Sequence, residues 1–188
     1  MTSGRTSRRL TVLAVSAALV LTGCDSSADD AAPTGAVSTS PSIAADVPSG
    51  YDPCTDIPQR VLDSENLRHR TNEDHDASGG VKWRGCGWVQ PDGYAPAVTT
   101  TNITVDMVRD KKFADTREYT INSRRAISTR QVEEHPDEVC TINVEMKGGS
   151  LEFFLSNPPS NRNTGHLDTC ALAKTFAEKV VPTMPATI

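Results

Sequence analysis

Aromatic side chains make up only 5% of this 188-residue chain, which argues against a surface built to stack on sugars and against a large aromatic-lined pocket. No apolar stretch is long enough to span a bilayer. The longest run, Leu10 to Leu21, covers about a dozen residues, where a hydrocarbon core needs roughly 20. The cysteines never fall in C-x-x-C spacing, which disfavours a thiolate metal site. A G-x-S-x-G nucleophile elbow is missing as well, and Gly148-Gly149-Ser150 reads as a hairpin turn. Lys and Arg are not gathered into a basic face: Arg109-Asp110-Lys111-Lys112 and Arg124-Arg125 are short, and the net charge is −5. Neutralising phosphates requires a clustered cationic surface, so nucleic acid is not an expected partner. Glu73-Asp74-His75-Asp76 and Glu133-Glu134-His135-Pro136-Asp137-Glu138 lack the spacing of calcium or zinc sites and read as solvated acidic loops. No cofactor, metal or catalytic motif is expected.

What the chain does have begins at its N-terminus. Arg5, Arg8 and Arg9 precede the apolar run, which ends in Leu21-Thr22-Gly23-Cys24. Basic flank, short apolar core and small residues are the parts of an export signal, so residues 1–23 are expected to be a leader rather than structure. The cysteine at its end resembles the lipobox of bacterial lipoproteins. In that class the thiol takes a diacylglycerol thioether and Cys24 becomes the first residue of the mature chain, which would place the protein on the extracytoplasmic face of the cell membrane. Once Cys24 is set aside, Cys54, Cys86, Cys140 and Cys170 form an even set suited to an oxidising compartment.

Residues 24–50 are Ser, Ala, Asp, Thr, Pro and Gly with few bulky apolar side chains. Such a composition cannot offset its ordering entropy, and a disordered tether is expected, with a reach of roughly 25–30 Å. Residues 51–188 then read as one globular domain. A helix capped at Thr55 or Asp56 should run through Pro58 to about Leu67, with Arg68 to Gly80 a polar loop. Strands are expected around Trp83 to Gln90 and Ala97 to Ile103, then a short helix over Thr104 to Lys112 with Met107 and Val108 inward. Glu118 to Ile121 and Arg125 to Arg130 should form a hairpin about Asn122-Ser123-Arg124. Val139 to Met146 alternates, with Cys140, Ile142, Val144 and Met146 on one face and Thr141, Asn143 and Glu145 on the other. Gly148-Gly149 should turn the chain into a strand carrying Leu151, Phe153 and Leu155. A last helix capped by Asp168 or Thr169 presents Leu172, Phe176 and Val180 and stops at Pro182. The fold class is α+β: a mainly antiparallel sheet of about six strands with N- and C-terminal helices packed on it.

Four cysteines allow three pairings, and spacing does not choose among them. The simplest staples each helix start to a strand, Cys54 to Cys86 and Cys140 to Cys170. Trp88 shares a strand face with Cys86 and should pack on its disulfide. Trp83 has the opposite parity or precedes the strand, which leaves its surroundings open.

Asp52-Pro53-Cys54, Gly85-Cys86-Gly87-Trp88, Val139-Cys140 and Asp168-Thr169-Cys170-Ala171-Leu172-Ala173, behind a lipobox and tether, resemble actinobacterial lipoproteins of domain-of-unknown-function family 3558. Asp168-Thr169-Cys170 departs from the pattern, which has a proline before the cysteine. The resemblance implies an envelope lipoprotein and supplies no catalytic residues. The resulting expectation is a lipid-anchored, non-enzymatic binding or accessory module whose partners are the membrane, through its anchor, and an envelope protein or small ligand. The alternative is an extracytoplasmic enzyme with a dispersed active site.

Overall fold

The computed structural model describes residues 42–186, so the leader and Cys24 lie outside the described residues. The chain forms one antiparallel sheet with helices on both faces, the expected α+β class. The sheet has eight strands, not about six: β1 (Arg68–Asn72), β2 (His75–Asp76), β3 (Lys82–Val89), β4 (Ala95–Thr101), β5 (Ala114–Ile121), β6 (Arg124–Arg130), β7 (Val139–Met146) and β8 (Gly149–Ser156). Their order is β1-β3-β4-β8-β7-β6-β5, with β2 beside β1 on the same edge of β3. Both extra strands come from the stretch expected to be loop. All their residues are exposed, so they carry no apolar alternation, and backbone pairing with β3 alone makes them strands.

The expected first helix is two short ones, α1 (Pro53–Asp56) and α2 (Gln59–Ser64). Its cap is Asp52, whose carboxylate accepts from the Cys54 amide at 2.9 Å, not Thr55 or Asp56. Pro58 is the reason for the break: it forces Ile57 out of the helical region, to ψ 114°. α3 (Val105–Asp110) follows β4, with Thr104 Oγ1 accepting from Met107 N. Val105 and Val108 are its buried residues; Met107 is half-buried. α4 (Thr169–Val180) is capped by Asp168, and Pro182 lies in the single 3₁₀ turn that follows.

Phe153 on β8 and Phe176 on α4 meet edge to face, 5.9 Å apart, both almost fully buried. Ile142, Val144, Leu151, Leu155, Ala173, Ala177 and Val180 surround them. Cys54 is bonded to Cys86 and Cys140 to Cys170, so each bridge ties a helix start to a strand. Trp88 is buried in the same core. Gly148, at φ 85°, makes the β7–β8 turn with Lys147, while Gly149 already pairs with Met146 as the first residue of β8. A Cβ on Gly149 would lie 1.9 Å from the Thr101 carbonyl oxygen, so glycine is required there for close strand approach.

The second face of the sheet is also covered. Thr141 and Asn143, which lie opposite the Cys140, Ile142 and Val144 face as expected, are buried, as are Thr99, Thr101, Thr129 and Ser150. α3 covers part of this face, Val105 and Val108 packing on Ile127 of β6, with Ile103 and Phe113 against them. The last part of the expected tether also lies here. Asn102 Nδ2 donates to the Ala44 carbonyl at 2.8 Å, Asp46 pairs with Lys82 at 3.6 Å, and Ile43 lines a cavity. Residues 42–50 therefore touch the domain, and the boundary at Tyr51 falls inside a contacting segment.

Candidate ligand site

Between α3, the 42–50 segment and the second face of the sheet lies a cavity of about 290 Å³. Ile43, Val81, Ile103, Val108 and Phe113 give it apolar walls, and Trp83 and Glu152 line it too. A larger hollow, about 700 Å³, opens between the Asn122-Ser123 turn and Met184, but it is more open and polar, and its charged lining residues, Arg124, Glu145 and Lys147, are half-buried or exposed. The smaller cavity combines apolar walls with one enclosed charge-bearing group, the combination typical of small-molecule sites.

Strand register puts that group in place. Glu152 on β8 pairs with Asn143 on β7 and Thr99 on β4, so it projects from the middle of the sheet. Asn143 Nδ2 donates to one carboxylate oxygen at 3.0 Å, and Trp83 Nε1 to the other at 3.1 Å. Protein packs around the carboxylate while part of the side chain remains open to the cavity. Burial raises its pKa, against the lowering pull of the two hydrogen bonds and a weaker one from His75. Both donors are neutral, so no cation is hydrogen-bonded to the carboxylate. Lys111 also lines the cavity but is exposed.

The surrounding groups fix this geometry. Ser150 Oγ accepts from Asn143 Nδ2 at 3.0 Å and donates to the Ile103 carbonyl at 2.7 Å, joining β7, β8 and the start of α3. Asn143 Oδ1 is buried without a hydrogen-bond partner. His75 stands opposite Trp83 in the β2–β3 pairing, and the rings stack with centroids 4.4 Å apart and planes 10° from parallel. His75 is held in turn by its contact with the Glu73 carbonyl at 2.9 Å. Trp83, whose surroundings parity left open, is thus half-buried and part of the site.

The remaining sequence candidates fall elsewhere. Cys54, Cys86, Cys140 and Cys170 are on the core face, consumed in disulfides, and Cys24 lies outside the described residues. The Glu73–Asp76 stretch holds the sheet edge: Asp74 accepts from the Gly85 amide at 2.8 Å and Asp76 pairs with Arg84 at 2.6 Å. His69 and His75 sit on strands, not in loops. Among the described residues no three His, Cys, Asp or Glu side chains converge as a metal would need, and no helix is long and apolar enough to cross a membrane. Glu152 and Asn143 were missed because a polar residue on the alternate face of a strand reads as solvent-facing. The available signal was the run of Thr, Ser and Asn, with few charges, on that face of β4, β7 and β8.

These features define a disulfide-braced α+β domain with a single antiparallel sheet and a small, carboxylate-floored cavity on the face opposite its main core. The chain belongs to the family described as "Protein of unknown function (DUF3558)", whose model matches residues 19–183. Neither a curated protein nor a solved structure matches it.

Proposed function

We propose that this protein is a cell-envelope lipoprotein, held on the extracytoplasmic face of the membrane by a lipid on Cys24, whose domain binds a small molecule in the cavity above Glu152 without transforming it. Support for the address comes from the basic flank, the short apolar run and Leu21-Thr22-Gly23-Cys24, and from two disulfides suited to an oxidising compartment. Actinobacterial origin follows from the same sequence resemblance and belongs to this reading.

The observation that carries the binding role is the enclosed carboxylate in an apolar cavity. A buried charge is costly unless paired, and the surrounding protein supplies Glu152 with neutral donors alone. The cavity lining sets one carboxyl and one exposed ammonium among mainly apolar side chains, the pattern of a recognition site in which a few polar groups orient a ligand.

Native mass spectrometry of the full protein, extracted from membranes of its own host, tests this reading. A co-purifying small molecule is expected in the wild type and should be lost when Val108→Trp fills the cavity. Equal ligand content in both would place the ligand elsewhere and overturn the assignment.

A further inference from the structure

Resting on that reading of the cavity, we infer that its ligand class is a small apolar amine, bound as the ammonium with its charged head on Glu152 and its hydrocarbon body against Val81, Ile103, Val108 and Phe113. Charge complementarity drives the argument. The Glu152 carboxylate lies on the second face of the sheet with one neutral hydrogen bond to each oxygen. Each carboxylate oxygen can accept at least one more. Among the described residues no cation is hydrogen-bonded to the carboxylate: Arg84 on β3 is engaged by Asp76, and Lys111, which lines the same cavity, is exposed.

An enclosed carboxylate is neutralised by a proton or by a cation. A ligand ammonium supplies the charge together with donors, and a charge-assisted hydrogen bond is about twice as strong as a neutral one. Trp83 adds an aromatic group beside the carboxylate, the pairing that recognises organic cations. His75 covers one face of the indole, fixing the ring for that contact. A carboxylate or phosphate ligand would instead face like charge across the cavity. The volume, about 290 Å³, lies at the lower end of ligand sites, which suits a monoamine and excludes a large polycation.

The test uses the full chain carrying Cys24→Ser, so that no lipid enters the assay, and three probes of matched shape: phenethylammonium, 2-phenylethanol and phenylacetate. Binding is followed by the NMR signal of the Trp83 indole N–H. The ammonium is expected to bind about tenfold or more tightly than the alcohol, with phenylacetate weakest. Its affinity should rise with pH as Glu152 ionises. Glu152→Gln should bring ammonium and alcohol within about twofold of each other and flatten the pH dependence. Preference for the alcohol or the acid in the wild type overturns the amine assignment while leaving the cavity as a binding site. Failure of all three probes to move the indole signal overturns both. The wild-type ranking and pH profile decide the matter even if the variant does not fold.

Discussion

The indole Nε1 of Trp83 donates to Oε1 of Glu152 over 3.1 Å, joining a β3 side chain stacked on His75 to a carboxylate on β8, the central strand of the sheet. Since burial outweighs that hydrogen bond and raises the Glu152 pKa, the folded protein holds this proton more tightly than the unfolded chain does. The group's stabilising contribution is therefore complete below its ordinary value of 4.5 and is lost as pH rises through the raised folded value. Glu152→Gln removes the titration and leaves an acceptor for Trp83. Thermal melts of variant and wild type should nearly coincide at about pH 4 and diverge in the variant's favour as pH rises, before levelling off. A difference that is flat, or that grows towards acid, would show that the carboxylate is not stressed by its surroundings.

The two disulfides give a second prediction. They close loops of 32 and 30 residues, for which the chain-entropy model gives about 3.5–4 kcal/mol each. Replacing Cys54 and Cys86, or Cys140 and Cys170, by Ala should lower the unfolding free energy by about 2–5 kcal/mol in urea titrations. Peptide mapping without reduction should find the same two links. A free thiol among the four, or a crossed link, would contradict the structure.

How far the sequence discloses this architecture varies along the chain with burial. β7 and β8 are legible because Cys140, Ile142, Val144, Leu151, Phe153 and Leu155 alternate into one core. α4 is legible because Asp168 caps it and its apolar residues recur at helical spacing. β1 and β2 have no buried residue, and their pairing is a tertiary fact that periodicity cannot carry. The site is hidden for the opposite reason. Thr141, Asn143 and Glu152 look like the wet side of a half-buried sheet, and α3 together with the 42–50 segment encloses that side. Two features marked it: Trp83, an aromatic residue out of phase with the core, and the run of Thr, Ser and Asn with few charges on that face of β4, β7 and β8.

Lipid attachment at Cys24 is open to a direct experiment. Cys24→Ala should move the protein from the membrane pellet to the soluble fraction, or to the medium, in cell fractionation, and should abolish incorporation of labelled palmitate. The domain's thermal stability should change little, because its core, both disulfides and the cavity walls are built from residues 42–186. Continued pelleting of the variant, with no label in the wild type, would remove the anchor from the proposal.

Asn102 makes the strongest claim on how the second face is closed. It is fully buried, and its side chain holds three backbone groups: Oδ1 accepts from the Lys82 amide at 2.9 Å, and Nδ2 donates to the carbonyls of Gly80 at 2.9 Å and Ala44 at 2.8 Å. One amide thus fastens the start of β3, the turn before it and the segment leading back towards Cys24. Asn102→Ala leaves all three groups without this partner, and with about 1 kcal/mol per lost hydrogen bond plus a cavity the domain should lose about 2–4 kcal/mol. Hydrogen exchange separates this from a general loosening. Amides of residues 42–50 and 80–82 should lose protection well beyond the global change, while those of β7 and α4 follow it. Since Ile43 walls the cavity, the variant should also bind phenethylammonium more weakly than its lost stability alone accounts for. Unaltered relative protection of 42–50 would mean that this segment is held by something other than Asn102.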